Sequence, residues 1–286
     1  MIFMTCLSCK SKLQTIYNFG KIPLVNSFNK IKKISNKKFN LNLKVCKKCK
    51  ILQLTNFPKK EEIFRNYKHT SSGSADNLKH LNSFANIIKK KIRKNSKILE
   101  IGSNDGSLLN FLSKMGFDCT GVEPASNLKK FYNKKIYLIN DFFSENIIQR
   151  LKFKQYDLIV GLNVFAHYSG VQNSFKLISK ILKNNGSFIF EVAYAFDTIH
   201  NSKYDTIYHE HVFNHTATGL KKMLELANLN LIKIEKIKTQ GGSLRIYAQK
   251  KPKTSSINIK LLEIEKKHKV NSIKTYKKIS KLITNK

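Results

Sequence analysis

The chain has 286 residues, 41% of them hydrophobic, and a formal net charge of +35. That length suits one large domain with a small one beside it, and the apolar content is enough for a packed core. No apolar run approaches the ~20 residues of a membrane span, and Thr5, Cys6 and Ser8 interrupt any signal-peptide core, so the expected setting is cytoplasmic, with no membrane.

The charge invites a nucleic-acid reading, but arginine occurs only at positions 65, 93, 150 and 245. Groove and phosphate readers lean on Arg for bidentate contacts. Here Lys is spread over every segment beside abundant Asn and Ile, as an AT-rich coding bias would leave it. This argues against a nucleic-acid partner. An anionic substrate would still gain from the positive field.

Residues 1–60 carry Cys6-x-x-Cys9 and Cys46-x-x-Cys49. Four thiolates give zinc a closed, tetrahedral, structural site. The 36 residues between the knuckles exceed the usual ribbon spacing, so a loop must separate them. A reducing compartment argues against the alternative of two disulfides. Cys119 lies in an apolar strand and reads as a core residue.

Residues 61–250 read as an α/β unit. Ser71-Ser-Gly-Ser74 is a loop signal. From Asp76 to Lys94 the apolar residues Leu78, Leu81, Phe84, Ala85, Ile88 and Ile92 follow helical spacing. Next comes Lys97-Ile-Leu-Glu-Ile-Gly-Ser-Asn-Asp-Gly-Ser107, a buried strand, a glycine turn and the start of a helix. Strand, glycine turn and helix hold nucleotide-like cofactors in α/β folds. The turn is Glu-x-Gly-x-x-x-Gly. An acid at the strand end would repel a pyrophosphate but can pair with a cationic amino-acid moiety. That favours S-adenosylmethionine (SAM) over a dinucleotide, with Glu100, Gly102, Asn104 and Gly106 around it.

A second strand ends at Glu123, 23 residues after Glu100, where an acid can accept from both ribose hydroxyls. The third strand, from Ile136 to Asn140, leads into Asp141-Phe-Phe143, an acid and aromatics suited to binding and covering an adenine. The fourth, from Tyr156, ends near Asn163 and His167, and the fifth runs from Gly186 to Val192. Helical patterns between them predict a parallel, doubly wound sheet with its ligand groups at the strand ends.

Tyr204-Asp-Thr-Ile-Tyr-His-Glu-His211 follows, a dense acid/base cluster in a long polar stretch. His209-Glu-His211 as a metal site lacks a third ligand. The pattern favours catalysis, with His211 as base, Glu210 tuning it, and Tyr208 or His167 bonding a developing oxyanion. Gly241 and Gly242 suggest close backbone approach to a substrate. In residues 251–286, Val270, Ile273, Tyr276, Ile279 and Ile283 mark an amphipathic helix.

The two Cys-x-x-Cys motifs, then Glu-Ile-Gly-Ser-Asn-Asp-Gly-Ser, Gly-Val-Glu-Pro-Ala, Asn-Val-Phe-Ala-His, Tyr-Asp-Thr-Ile-Tyr-His-Glu-His and Gly-Gly-Ser-Leu-Arg, together resemble the SAM-dependent sugar C-methyltransferases. These act on C3 of dTDP-4-keto-deoxysugars. The resemblance implies a zinc domain, a Rossmann-like class I SAM domain, and a C-terminal domain that helps grip the nucleotide sugar. It places Tyr208, Glu210 and His211 in the active site, and Glu100, Gly102, Asn104 and Glu123 in the SAM site. Gln240 stands where the family usually has a His. The resemblance runs from Cys6 to about Tyr247, so the last 36-residue stretch reads as the start of the C-terminal domain. The remaining grip on the nucleotide would come from a dimer partner or a separate C-terminal chain. O- or N-methylation of another acceptor, and a zinc-ribbon module that binds nucleic acid without catalysis, stay open as alternatives.

Overall fold

The computed structural model describes residues 5–25, 38–200, 206–251, 260–270, 272, 275 and 276, the side chains of 198–200 and 240 apart. Strands β1 (Leu13–Pro23) and β2 (Lys38–Cys46) form an antiparallel hairpin, and β3 (Leu52–Leu54) adds to β2. One Cys-x-x-Cys turn precedes β1 and the other lies between β2 and β3. The two turns are built alike. Lys10 N–H donates to the Cys6 carbonyl at 3.0 Å and Lys50 N–H to the Cys46 carbonyl at 3.1 Å, and each lysine has φ 61°. A left-handed residue there lets the chain double back around a central atom.

Helix α1 (Lys60–Phe64) leads to α2 (Ala75–Lys91), whose Ser74 cap accepts from the Asn77 amide. Leu81, Phe84, Ala85 and Ile88 fall on one face of α2 and are buried, as their spacing requires. Then come β4 (Lys97–Ile101), α3 (Ser107–Lys114), β5 (Asp118–Val122), β6 (Tyr137–Ile139), β7 (Tyr156–Leu162), α4 (Val171–Ile181) and β8 (Leu182–Ala193). Helix α5 (Ala195–His200), β9 (Phe213–Asn214), α6 (Ala217–Glu225), β10 (Asn230–Ile237), β11 (Ser243–Gln249) and α7 (Lys260–Lys267) complete the order.

The large sheet has the order β10-β11-β8-β7-β4-β5-β6. Strands β4 to β8 are parallel, but β11 lies antiparallel to both β8 and β10. The sheet is therefore mixed rather than wholly parallel, because the 239–242 turn folds β10 and β11 into a hairpin. Single 3-10 turns, not helices, follow β5 and β6. Each has one buried apolar anchor, Leu128 and Ile147, too few for a helical stripe.

Neighbouring strand residues face opposite cores. Ile98, Leu158, Val160 and Ile189 pack with α2 and α3. Leu99, Ile159, Phe188 and Phe190 join a larger core that runs on to Leu41, Val45, Leu52 and the buried cysteines. The cysteine-bearing sheet and the large sheet thus share one apolar core. The small sheet has the order β1-β2-β3-β9, so a strand from beyond β8 in the chain, β9, completes it antiparallel to β3.

The closing helix expected over Val270–Ile283 lies partly outside the described residues, which exclude Ile273, Ile279 and Ile283. The described helix α7 sits earlier. Glu265 on it is fully buried and accepts from the Ala217 and Thr218 amides at the start of α6, at 2.6 and 2.9 Å. Val270 and Tyr276 are buried too, so this segment packs on the main body. No helix among the described residues is long and apolar enough to cross a membrane.

Candidate functional site

The four sulfurs of Cys6, Cys9, Cys46 and Cys49 lie within 4.8 Å of one another, with Cys6–Cys49 at 3.6 Å and Cys9–Cys46 at 3.4 Å. Zinc–sulfur bonds of about 2.3 Å in a tetrahedron put the sulfurs roughly 3.8 Å apart. The set fits that geometry, and none of the four is in a disulfide. The Cys49 amide donates to the Cys46 sulfur at 3.4 Å, which supports a thiolate there.

A cavity of about 670 Å³ opens at the carboxyl ends of β4, β5, β7 and β8, a size that suits a cofactor and its partner. The turn after β4 forms its floor. Gly102 has φ 66°, and a Cβ on it would come within 2.5 Å of the Val164 side chain. Asn104 (φ 50°) tucks its amide against Glu123, which accepts at 2.8 Å and also takes the Ala125 amide at 2.9 Å. Burial pushes the Glu123 carboxyl up to about 7.

Glu100 is buried, and its Oε2 has no hydrogen-bond partner. Burial first, then the charges of Asp105 and Glu123, holds its carboxyl well above the usual range. Three acids thus converge on the strand ends, one with an orphaned oxygen. A bound cation, such as the ammonium and sulfonium of SAM, would relieve that arrangement.

Asn163, at the end of β7 with φ 54°, lines the same cavity and donates its amide to the Glu191 carbonyl at 2.9 Å. Gly106 and Asp141 do not line it. Gly106 instead passes close under the Tyr132 ring, 2.8 Å from where a Cβ would sit. The Asp141 carboxylate is held by Arg65 at 3.1 Å and Arg150 at 3.3 Å. Of the Asp141-Phe-Phe143 run, Phe142 and Phe143 face the cavity.

On the opposite wall stand Tyr67, His167, Tyr208 and His211. His211 Nδ1 lies 2.8 Å from the Thr206 carbonyl, an acceptor, so Nδ1 carries the proton. Nε2 is then the lone-pair nitrogen, and it accepts from the Tyr208 hydroxyl at 3.1 Å. Burial lowers the His211 pKa, which favours the neutral ring. His167 donates Nδ1 to the Glu210 carbonyl at 3.1 Å, and burial pushes its pKa down to about 3.

The expected tuning of His211 by the Glu210 carboxylate is not found; its ring partners are Thr206 and Tyr208. Glu210 acts on Tyr67 instead, whose hydroxyl is pushed up by burial and then by that charge. His209 points away, to the Phe39 carbonyl at 3.2 Å. Tyr204 and Asp205 lie outside the described residues. The Gly242 approach, read as contact with a substrate, is to Asp197: a Cβ there would be 2.5 Å from its carboxylate.

A methyltransferase domain family model matches residues 67–234, more than half of the chain. The chain belongs to the methyltransferase domain family. A zinc binding domain model matches residues 6–64. The C-methyltransferase NovU of Streptomyces niveus is 25% identical over 215 residues, covering 73% of this chain and 51% of NovU. The ubiquinone biosynthesis O-methyltransferase of Pelagibacter ubique is 31% identical over 111 residues, 35% of this chain and 46% of that protein. The chain spans about half the length of the curated relatives it matches.

Among solved structures, the PH0226 protein from Pyrococcus horikoshii OT3 has a TM-score of 0.51 at 16% identity, covering 68% of this chain and 99% of that one. A Haloferax volcanii methyltransferase complex with the Trm112 activator gives 0.51 at 13%, covering 64% and 94%. The fold is that of class I SAM methyltransferases, with an N-terminal zinc-binding domain. SAM is the cofactor of this methyltransferase, and the strand-end acids fit its positive charge.

Three polar residues of the methyltransferase cavity region were not singled out from the sequence. Glu191 is fully buried at the tip of β8 and bonds His80 on α2 and Arg245 on β11. An acid ending an apolar strand, the signal used for Glu100 and Glu123, also marks Glu191. His80 and Arg245 carry no such local signal.

Proposed function

We propose that this methyltransferase transfers the SAM methyl to a carbon of a nucleotide-linked keto-deoxysugar. The observation that carries the reading is the His211–Tyr208 pair, a neutral imidazole whose lone pair faces a cavity and is held only by a phenol. O- and N-nucleophiles bring their own lone pair, whereas a carbon next to a ketone must first lose a proton. The identity to NovU supports the same reading.

In this proposal the substrate ketone takes the Tyr208 hydroxyl, which frees His211 Nε2 for the proton on the adjacent carbon. Tyr208 then donates to the enolate oxygen as it gains charge, and His167 stands beside it. Thr206 steadies the imidazolium through Nδ1. Glu123 holds the ribose hydroxyls, while Glu100 faces the ammonium. Gly102, Asn104 and Asn163 shape the floor beneath them. SAM, when bound, supplies the methyl that the carbanion's electron pair takes as the S–CH3 bond breaks. The proton stays on His211 until solvent removes it.

The test is turnover with carbon-13-methyl SAM and a panel of nucleotide keto-sugars, read by NMR. A labelled methyl bonded to carbon supports the proposal. A label on oxygen or nitrogen would establish the second reading, which the resemblance to the ubiquinone O-methyltransferase favours.

A further inference from the structure

His80, Glu191 and Arg245 lie apart from both the strand-end acids and the base cluster. Arg245 is the direct register partner of Glu191 across β11 and β8. Its Nε and Nη2 donate to Glu191 Oε1 at 2.7 and 2.6 Å, and its guanidinium rests on the Phe84 ring at 4.3 Å. The other carboxylate oxygen lies 2.9 Å from His80 Nε2. Glu191 and Arg245 are almost wholly buried, while His80 and Glu191 line the cavity.

A buried ion pair of this kind stabilises a fold no better than apolar packing of similar volume. The pair is better explained by what it orients. One oxygen of Glu191 is satisfied by Arg245, and the other fixes the His80 ring through Nε2–H. Nδ1 of His80 is left for a ligand. His167 and His211 differ, since each directs Nδ1 to a backbone carbonyl.

Position narrows the ligand. Ile189 is level with Val160, which is level with Glu100, so Glu191, two residues beyond Ile189, shares the Glu100 face of the sheet. Along the strand ends the order is Glu123, Glu100, Asn163, then Glu191 with His80 above it. A SAM molecule with its ribose at Glu123 and its ammonium at Glu100 has one group left on that side, the carboxylate. Asn77 and Ser74, about one and two turns before His80 on the cavity side of α2, belong to the positive end of that helix.

We propose that His80, held in place by Glu191 and Arg245, binds the carboxylate of the SAM methionyl group. The inference rests on the cofactor placement above. In the complex the imidazole lies between two carboxylates, donating Nε2–H to Glu191 and Nδ1–H to the ligand.

The test compares SAM, decarboxylated SAM and 5′-methylthioadenosine by calorimetry on the full chain. Wild type should prefer SAM to decarboxylated SAM, and His80→Ala should abolish that preference while leaving methylthioadenosine affinity unchanged. Glu191→Gln should weaken the preference in the same direction. If His80→Ala does not fold, as lost methylthioadenosine binding would reveal, His80→Gln is measured in its place. A preference for SAM that survives the His80 substitution overturns the proposal, as does an effect confined to the KM of the methyl acceptor. Failure of the cofactor placement looks different: Glu123→Ala would then leave all three affinities unchanged.

Discussion

His209 and Phe39 stand 170 residues apart in sequence, yet the His209 Nε2 lies 3.2 Å from the Phe39 carbonyl. This contact pins the Tyr-His-Glu-His segment to the zinc-binding sheet. Two more bonds hold the same joint. The Leu54 amide donates to the Val212 carbonyl at 2.8 Å, and β9 pairs with β3 directly after it. Strand β3 begins three residues after Cys49, so the metal knuckle and His211 are tied through a few residues of backbone.

Stripping the zinc, or replacing Cys46 and Cys49 with Ser, should therefore loosen residues 206–212 as well as the N-terminal sheet, because a structural metal supplies folding energy to its surroundings. Limited proteolysis with and without a chelator reads this directly. The expected result is new cleavage within 206–212 while SAM binding persists. Stripped protein that stays uncut in that segment would show the joint to be independent of the metal.

The free methyltransferase holds Glu123 at about 7 and Glu100 higher than a normal carboxyl. Near neutral pH Glu123 is partly protonated, burial biases Glu100 towards its neutral form, and a cationic ligand favours the charged form of both. SAM binding should then release protons, and affinity should fall as pH drops below 7. Calorimetry in two buffers of different ionisation enthalpy measures the release. Glu123→Ala should weaken SAM by about 1.5–3 kcal/mol, the range for hydrogen bonds to charged groups. Binding with no proton release would show that SAM does not meet these carboxylates.

Local signals in the sequence located the acids at the strand ends and the paired cysteine knuckles, since each needs only a period and a spacing. Non-local pairing was not legible. Asp141 carries the same strand-end signal as Glu123, but its carboxylate is paired with Arg65, 76 residues back in the chain, as well as with Arg150, nine residues on. His209 and His211 sit two residues apart in one motif. One reaches the zinc sheet and the other the cavity, and the pairing of β9 with β3 decides which. Arg245 finds Glu191 only because β11 runs antiparallel to β8 in that register.

His211 must be neutral to act as a base, and burial lowers its pKa from the ordinary 6.5. The acid limb of kcat/KM should therefore fall below pH 6.5. Loss of a general base typically costs roughly 10²–10⁴-fold in rate, so His211→Ala should lose turnover on that scale with SAM affinity retained. Tyr208→Phe removes a bond to the neutral ring and should move the limb upward in pH. Retained turnover in His211→Ala would assign the proton transfer elsewhere.

Glu265 is wholly buried and meets α6 at its first turn, accepting from the Ala217 and Thr218 amides and from the Thr218 hydroxyl at 2.6 Å. Those amides have no partner within the helix, because the first turn of any helix leaves its N–H groups free. The negative carboxylate also sits at the positive end of the helix dipole. Thr216 caps only Gly219, so it cannot replace Glu265. Glu265→Ala leaves two amides and a hydroxyl buried without acceptors, a cost of about 1–3 kcal/mol for each group that water cannot reach. Release of α7 lets water in and relieves part of that cost. The expected outcome is a lower Tm together with earlier proteolysis at residues 260–270, where Val270 now lies buried. Glu265→Gln keeps one acceptor and should fall between wild type and Ala. Equal melting of all three proteins would show that α7 contributes nothing to holding the start of α6.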